Sequence, residues 1–234
     1  MLEESSNPQA PEEVAPAPGR ETCYGCFKPA ALCLCGRIPE VANRTRITIF
    51  QHPRERFHAI GTARIARLGL ANAQLLLPRA VEPRSLRISA SLASGSALLF
   101  PAEDARDLGE LPAEAMPSGL VILDGTWSQA RALLRENPAL QALPKVRLSP
   151  TAPSRYRIRK EPRRHYVSTI EAIVQALGVI EPDTLGLEGL LEAFDKMIDE
   201  QIVFRHRNPR RPLRKMARRA EAPPGPLDSA ADEL

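Results

Sequence analysis

Residues 119–124, GLVILD, are a near-continuous apolar run that stops abruptly at an acid. A strand that alternates apolar and polar residues can leave one face in water, whereas a run without alternation has to be covered on both. This one predicts an inner strand of a sheet held between helices. Its surroundings agree. TRITIF (45–50), AQLLLP (73–78), SALLFP (96–101) and KVRLS (145–149) read as further short strands, the second and third stopping at proline. Helical patterns lie among them. Phe57 to Gly69 is one, with Ile60, Ala63, Arg64, Ala66 and Arg67 mixing apolar and basic faces, and residues 127–137 are another, with Pro138 just beyond. TIEAIVQAL follows a capping box, Ser168-Thr169-Ile170-Glu171. A last helix, about 184 to 206, carries Leu187, Leu190, Leu191, Phe194, Met197, Ile198 and Ile202 at core spacing. Strands alternating with helices predict an α/β domain, a largely parallel sheet with flanking helices. Only 4% of the 234 residues are aromatic, so its core is built of Leu, Ile, Val and Ala.

The ends of the chain differ from its middle. Residues 1–22 hold five Glu, one Arg and repeated Pro, and read as a disordered acidic leader. They have neither the basic start nor the apolar stretch of a secretion signal, and no run of 18 apolar residues occurs. The expected setting is the cytoplasm, with no membrane and no obligate protein partner. Without that leader the net charge of +4 rises to about +8 on the remainder. It concentrates in RYRIRKEPRRH (155–165), with six Lys/Arg and one Glu, and RHRNPRRPLRKMARR (205–219), with eight Lys/Arg and no acid. The second opens a flexible basic tail, 205–234. Two separated basic clusters point to a polyanion, most simply a nucleic acid.

All four cysteines lie in CYGCFKPAALCLC, as Cys23, Cys26, Cys33 and Cys35. Disulfides are not expected in a cytosolic chain, and four thiolates this close suit one shared ion. A closed four-Cys site selects structural zinc; an iron–sulfur cluster uses the same ligands, but no redox chemistry is visible beside it. The expectation is a zinc knuckle over 23–44, a staple or a grip on RNA, ahead of an α/β domain over 45–204.

In parallel α/β sheets, ligands bind outside the carboxyl ends of the strands. Three polar loops fall there: Gln51-His52-Pro53-Arg54-Glu55-Arg56, Phe100-Pro101-Ala102-Glu103-Asp104 and Asp124-Gly125-Thr126-Trp127. Each has a plainer reading, with His52 as a strand cap, Asp124 as the N-cap of the next helix and Trp127 as a core plug. Their meeting at one edge of one sheet favours a site. Neither a Gly-rich dinucleotide turn, a P-loop nor a G-x-S-x-G elbow occurs. The residues alone describe a zinc-stapled α/β protein with a polyanion partner and a cleft lined by Asp and Trp.

Seven ordered blocks between about 23 and 204 then carry a resemblance. They are CYGCFKPAALCLC, FQHPRERFHAIGTARIARLGL, ALLFPAEDA, VILDGTWSQARALLRENPAL, LPKVRLSP, SRYRIRKEPRRHYVSTIEAIVQAL and LLEAFDKMIDEQI. Together they resemble the DTW-domain family, the tRNA-uridine aminocarboxypropyltransferases. D-G-T-W-x-Q-A and S-T-x-E are the most specific elements. One position departs: the polar residue, often Asn, that the family has just before Thr-Ala is Gly61 here.

The resemblance implies a fold related to the SPOUT methyltransferases, with a C-terminal part threaded into a knot. It implies that S-adenosylmethionine donates its 3-amino-3-carboxypropyl group to N3 of a tRNA uridine, leaving 5′-methylthioadenosine. Such a uridine has to be unpaired or flipped out, since pairing hides N3; relatives suggest the variable loop or the D-loop. Asp124 is then expected to take the N3 proton or hold the donor's cationic end, and Trp127 to stack on a base or flank the sulfonium. Donor contacts are expected from Phe100, Pro101, Leu123, Gly125 and Thr126, and from Ser168, Thr169 and Glu171, two helix starts with N–H groups for a carboxylate. The substrate side takes His52, Arg54, Glu55, Gln129, Arg131, Arg155, Tyr156, Arg159 and Lys160, with Arg54, Arg131 and Arg159 as partners for the donor carboxylate or a phosphate. An rRNA transferase, an RNA methyltransferase on the same fold and a non-catalytic RNA-binding module are the other readings.

Overall fold

The run at 119–124 forms a strand that feeds two cores. Leu120 and Ile122 pack on one face with Ile47, Ile49, Ile65, Leu177 and Phe194, while Val121 packs on the other with Phe50, Leu98 and Leu140. Neighbouring side chains of a strand point to opposite faces, so a strand covered on both sides has to be apolar throughout. The computed structural model describes residues 21–58, 60–82, 85–149, 153–158 and 167–207. Its strands are β1 (Arg46–Gln51), β2 (Ala73–Leu76), β3 (Arg79–Glu82), β4 (Ser85–Arg87), β5 (Ser96–Leu99), β6 (Arg106–Asp107), β7 (Gly119–Asp124) and β8 (Lys145–Arg147). Six of them form one sheet in the order β2-β1-β7-β5-β8-β6, parallel at every pairing. All its carboxyl ends therefore lie along one edge.

The helices are α1 (Ala63–Gly69), α2 (Trp127–Glu136), α3 (Pro138–Gln141), α4 (Thr169–Ile180) and α5 (Leu187–Arg207). α1, α4 and α5 cover the first face, and the cysteine knuckle joins them by burying Cys26 and Leu34 in the same cluster. Ala130 of α2 and Leu140 of α3 belong to the second cluster, on the opposite face. Among the described residues no helix is long and apolar enough to cross a membrane.

Several boundaries differ from the sequence reading. The helix expected from Phe57 starts only at Ala63. Pro53 opens a short 3-10 turn capped by His52, and further turns follow, His58 N–H donating to Glu55 O and Gly61 N–H to His58 O. Phe57 is left 67% exposed, whereas Arg64, placed on a basic face by its spacing, is buried. Pro138 does not merely end α2; with φ preset for a first helical turn it begins α3. The antiparallel hairpin β3–β4 was not foreseen. It docks on the end of α2, where Glu136 accepts from Leu86 N–H (3.1 Å) and Asn137 from Ile88 N–H (2.9 Å). Residues 1–20, 159–166 and 208–234, which include most of the leader, Arg159, Lys160 and most of the tail, lie outside the described residues.

Candidate active site

β1 and β7 end in register, with Gln51 beside Asp124. Gln51 Nε2 donates to Asp124 Oδ2 at 2.9 Å, and Thr169 Oγ1, at the start of α4, donates to Oδ1 at 2.5 Å. Residues far apart in sequence thus meet on one carboxylate that is 8% exposed. Asp124 does not cap α2. Thr126 does, accepting from Gln129 N–H (3.4 Å), while Gln129 Oε1 accepts from Thr126 N–H (2.6 Å). This capping box leaves the Asp124 carboxylate to the cleft. It also explains Gly125: a Cβ there would stand 2.9 Å from Gln129 Oε1 and 3.3 Å from His52 Cβ, so a side chain would collide with the box.

Two cavities adjoin at this edge. One, of about 240 Å³, is mainly apolar and lined by Phe100, Pro101, Leu123, Trp127, Arg147 and Thr169 among others. The second, of about 100 Å³, is polar and includes Glu55, His58, Gly61, Asp124, Tyr156 and Ser168. Trp127, Val167 and Thr169 line both and form the wall between them. Trp127 meets Phe100 edge-on, with ring centroids 5.8 Å apart, and keeps a partly open surface, so it is more than a core plug. An apolar slot beside a small polar chamber, with a carboxylate in the chamber's lining, suits a ligand that is part aromatic and part charged.

Several of the other expected residues have their polar groups engaged within the protein. Gln129 is held by the capping box. Tyr156 is buried and donates its hydroxyl to Ile60 O at 2.9 Å. Arg155 pairs with Glu188 (2.7 Å) and Asp195 (3.2 Å). His52 caps the turn after β1, and burial holds its imidazole below the usual range. Arg54 and Arg131 are exposed, the latter donating to Trp127 O at 3.4 Å. Glu171, 3% exposed, accepts from Ser168 N–H (2.7 Å), Ser154 Oγ (2.8 Å) and Arg155 N–H (2.6 Å). It ties the segment at 154–155 to the start of α4. Glu171→Ala strands these donors, an expected loss of about 3 kcal/mol. At this chain length that lowers Tm by about 6–12 °C. Differential scanning fluorimetry reads it, and an unchanged Tm would sink the latch.

Sequence reasoning passed over Arg147 and His58. Arg147 ends β8, so the strand-end rule that selected the other loops reaches it too. His58 lies in the loop that supplied His52, but two turns separate it from its strand. Gly61 sits in the wall of the polar cavity, where a Cβ would come no closer than 3.4 Å to a neighbour, so the chamber includes room that a polar side chain would fill.

The four cysteine sulfurs lie within 4.8 Å of one another. Cys23 and Cys35, and Cys26 and Cys33, are each 3.8 Å apart. Four thiolates sharing a tetrahedral ion at about 2.3 Å stand about 3.8 Å apart, so the set fits one zinc. Thiolates on separate irons of a cluster stand wider. Hydrogen bonds, first from the Cys26 N–H, pull Cys23 down to about 6, whereas burial and the neighbouring thiols push Cys35 up to about 12.

The family model of the DTW domain matches residues 20–202. Among curated proteins, tRNA-uridine aminocarboxypropyltransferase 2 of Drosophila melanogaster is 34% identical over 169 residues, covering 69% of this chain and 67% of that protein. The protein of the same name from Macaca fascicularis is 30% identical over 197 residues, covering 81% and 66%. tRNA-uridine aminocarboxypropyltransferase A of Arabidopsis thaliana is 27% identical over 250 residues, covering 89% and 90%. The chain spans about two thirds of the length of the animal relatives. No solved structure matches.

Proposed function

This chain belongs to the DTW-domain family, and on that premise we propose that it transfers the 3-amino-3-carboxypropyl group of S-adenosylmethionine to N3 of a tRNA uridine in the cytoplasm. The observation that carries the reading is the two-chambered cleft, with Asp124 in the lining of its polar chamber and Trp127 in the shared wall. The apolar slot suits the adenosine end of the donor, stacked against Trp127 beside Phe100, Pro101 and Leu123. The polar chamber suits the aminocarboxypropyl chain and the incoming uracil. When bound, the donor supplies a sulfonium whose three carbons are all open to attack. Which one reacts depends on which is aimed at the nucleophile, so the wall of Trp127, Val167 and Thr169 selects the product by position. The new bond joins uridine N3 to the aminocarboxypropyl carbon, the carbon–sulfur bond breaks, and its electron pair stays on sulfur as a neutral thioether. Asp124 receives the N3 proton. Arg147, at the edge of the apolar slot, and the helix starts at Thr126 and Ser168 are the candidate partners of the donor's polar groups.

Glu171, Gln129, Arg155 and Tyr156 act as positioning residues in this reading. The four cysteines hold zinc, and the basic segments at 155–165 and 205–219 meet tRNA phosphates. From the family resemblance we also propose a SPOUT-like knot in the C-terminal part.

The test uses the full chain, undermodified tRNA and S-adenosylmethionine labelled either in the aminobutyrate carbons or in the methyl. Label enters RNA only from the first. Label only from the methyl would make the chain a methyltransferase, and label from neither would make it a binding module.

A further inference from the structure

The loop between β1 and α1 contributes Glu55 and His58 to the polar chamber, and the two residues between them stand outside it. Phe57 is 67% exposed in a chain where aromatics are scarce. It is not a loose side chain. Its ring meets Phe27 of the cysteine knuckle edge-on, with centroids 5.3 Å apart and planes at 87°. The Arg56 guanidinium lies 5.1 Å from the Phe57 centroid and 5.6 Å from that of Phe27. Phe27 is itself fixed. It adopts φ 54°, rare for a bulky residue, and its N–H donates to Cys23 O at 2.6 Å. The buried Arg64 guanidinium also lies 4.9 Å from the Phe27 ring and donates to Cys26 O at 2.9 Å. The result is a braced aromatic surface with a cation at its edge, on the loop whose Glu55 and His58 line the chamber that holds Asp124.

Water is a poor neighbour for an exposed aromatic face, so something of matching shape gains by covering it. Arg54 and Arg56, both exposed, add positive charge on the same loop. An aromatic face beside guanidinium groups is what unpaired RNA bases stack on, with phosphates following the charge. Flipping a nucleotide out of its stack also leaves the base next to it without a partner on one side. A ring fixed one residue from the chamber's lining can take that vacated place.

We propose that Phe57, braced by Phe27 and flanked by Arg56, is the stacking platform for the base adjacent to the target uridine. The proposal rests on the RNA-uridine reading above and adds the contact that holds the neighbouring nucleotide. Phe57 touches no reacting atom, so its contribution lies in RNA affinity and the choice of site.

The experiment is a double-mutant cycle with the full-length chain. The target uridine is first located by mapping the product. tRNA is then prepared intact, or with an abasic residue on the 5′ or the 3′ side of that uridine, and dissociation constants are measured for wild type, Phe57→Ala and Phe57→Trp. Removing one base–aromatic stack corresponds to a loss of about 5- to 150-fold. Phe57→Ala weakens intact tRNA by that factor and has no further effect on one of the two abasic tRNAs, while Phe57→Trp keeps wild-type affinity. Because Phe57→Trp restores a flat ring, it separates stacking from damage to the loop. Equal weakening of all three RNAs by Phe57→Ala, or none at all, overturns the platform. If wild type transfers nothing to any tRNA, the functional reading falls and the platform with it. Transfer by wild type without coupling in the cycle removes the platform alone.

Discussion

Asp124→Asn lowers kcat for aminocarboxypropyl transfer by about a hundred- to ten-thousandfold, the range of a lost general base, while the protein still folds and binds tRNA. Asparagine is the informative replacement because of how the carboxylate is held. Oδ2 accepts from the Gln51 amide and Oδ1 from the Thr169 hydroxyl. An asparagine turned with its oxygen toward Gln51 keeps the first bond, and a hydroxyl that rotates can accept from its amide and keep the second. Charge and basicity disappear while the network stays. Asp124→Ala instead strands a buried amide and a hydroxyl, mixing a folding defect into the result. Two measurements divide the roles of Asp124. If it takes the proton, kcat falls and calorimetric affinity for S-adenosylmethionine does not. If it holds the donor's ammonium, that affinity falls in step. Full activity in Asp124→Asn removes it from the chemistry.

The parts that could be read from sequence are those where a local pattern had no competitor. An unbroken apolar run of six residues is short for a buried helix and long enough for a strand covered on both faces, and 119–124 is that strand. Both capping boxes follow a short-range rule, although only the one at Ser168 was recognised. The box at Thr126 was hidden because Asp124 offered itself as the cap two residues earlier. What escaped depended on distant partners. The periodicity from Phe57 to Gly69 looks helical, but turns that follow the one opened by Pro53 take up its first half. Arg64 reads as a surface cation by spacing, and it is buried because the knuckle, from far earlier in the chain, offers it a carbonyl and a ring. For the site, the strand-end rule gathered Asp124, Trp127, Phe100 and Glu55 at one edge. It could not separate side chains that face the cavities from those that brace them. Glu171 and Gln129 show the limit: each belongs to a motif at the right place, and each has its side-chain oxygen engaged by backbone N–H groups.

Cys26→Ser removes the bound metal and lowers Tm by about 10 °C or more, because loss of a metal ranks with the mutations that exceed about 4 kcal/mol, and a chain of this size loses about 2–4 °C per kcal/mol. The size of the effect follows from where the knuckle sits. Cys26 is fully buried in the larger core cluster, its sulfur accepts from Leu34 N–H at 3.5 Å, and its carbonyl holds Arg64. Lys28 is buried beside it, pushed down to about 8 by burial, and Arg64 is lowered for the same reason. Four thiolates around a divalent ion carry a net charge of −2, which is what two buried cations need nearby. Once the metal leaves and the thiols take up protons, that charge is gone and both cations are left in a poor medium. The damage then travels along contacts already named. Arg64 releases Phe27, Phe27 releases Phe57, and the loop carrying Glu55 and His58 loses its brace at the polar chamber. Elemental analysis of the wild type is expected to find about one zinc per chain. Chelator treatment is expected to lower Tm and transfer activity together, with zinc restoring both. Visible absorbance with stoichiometric iron would replace zinc by a cluster, and a metal-free wild type with the same Tm as Cys26→Ser would end the claim that an ion holds the knuckle.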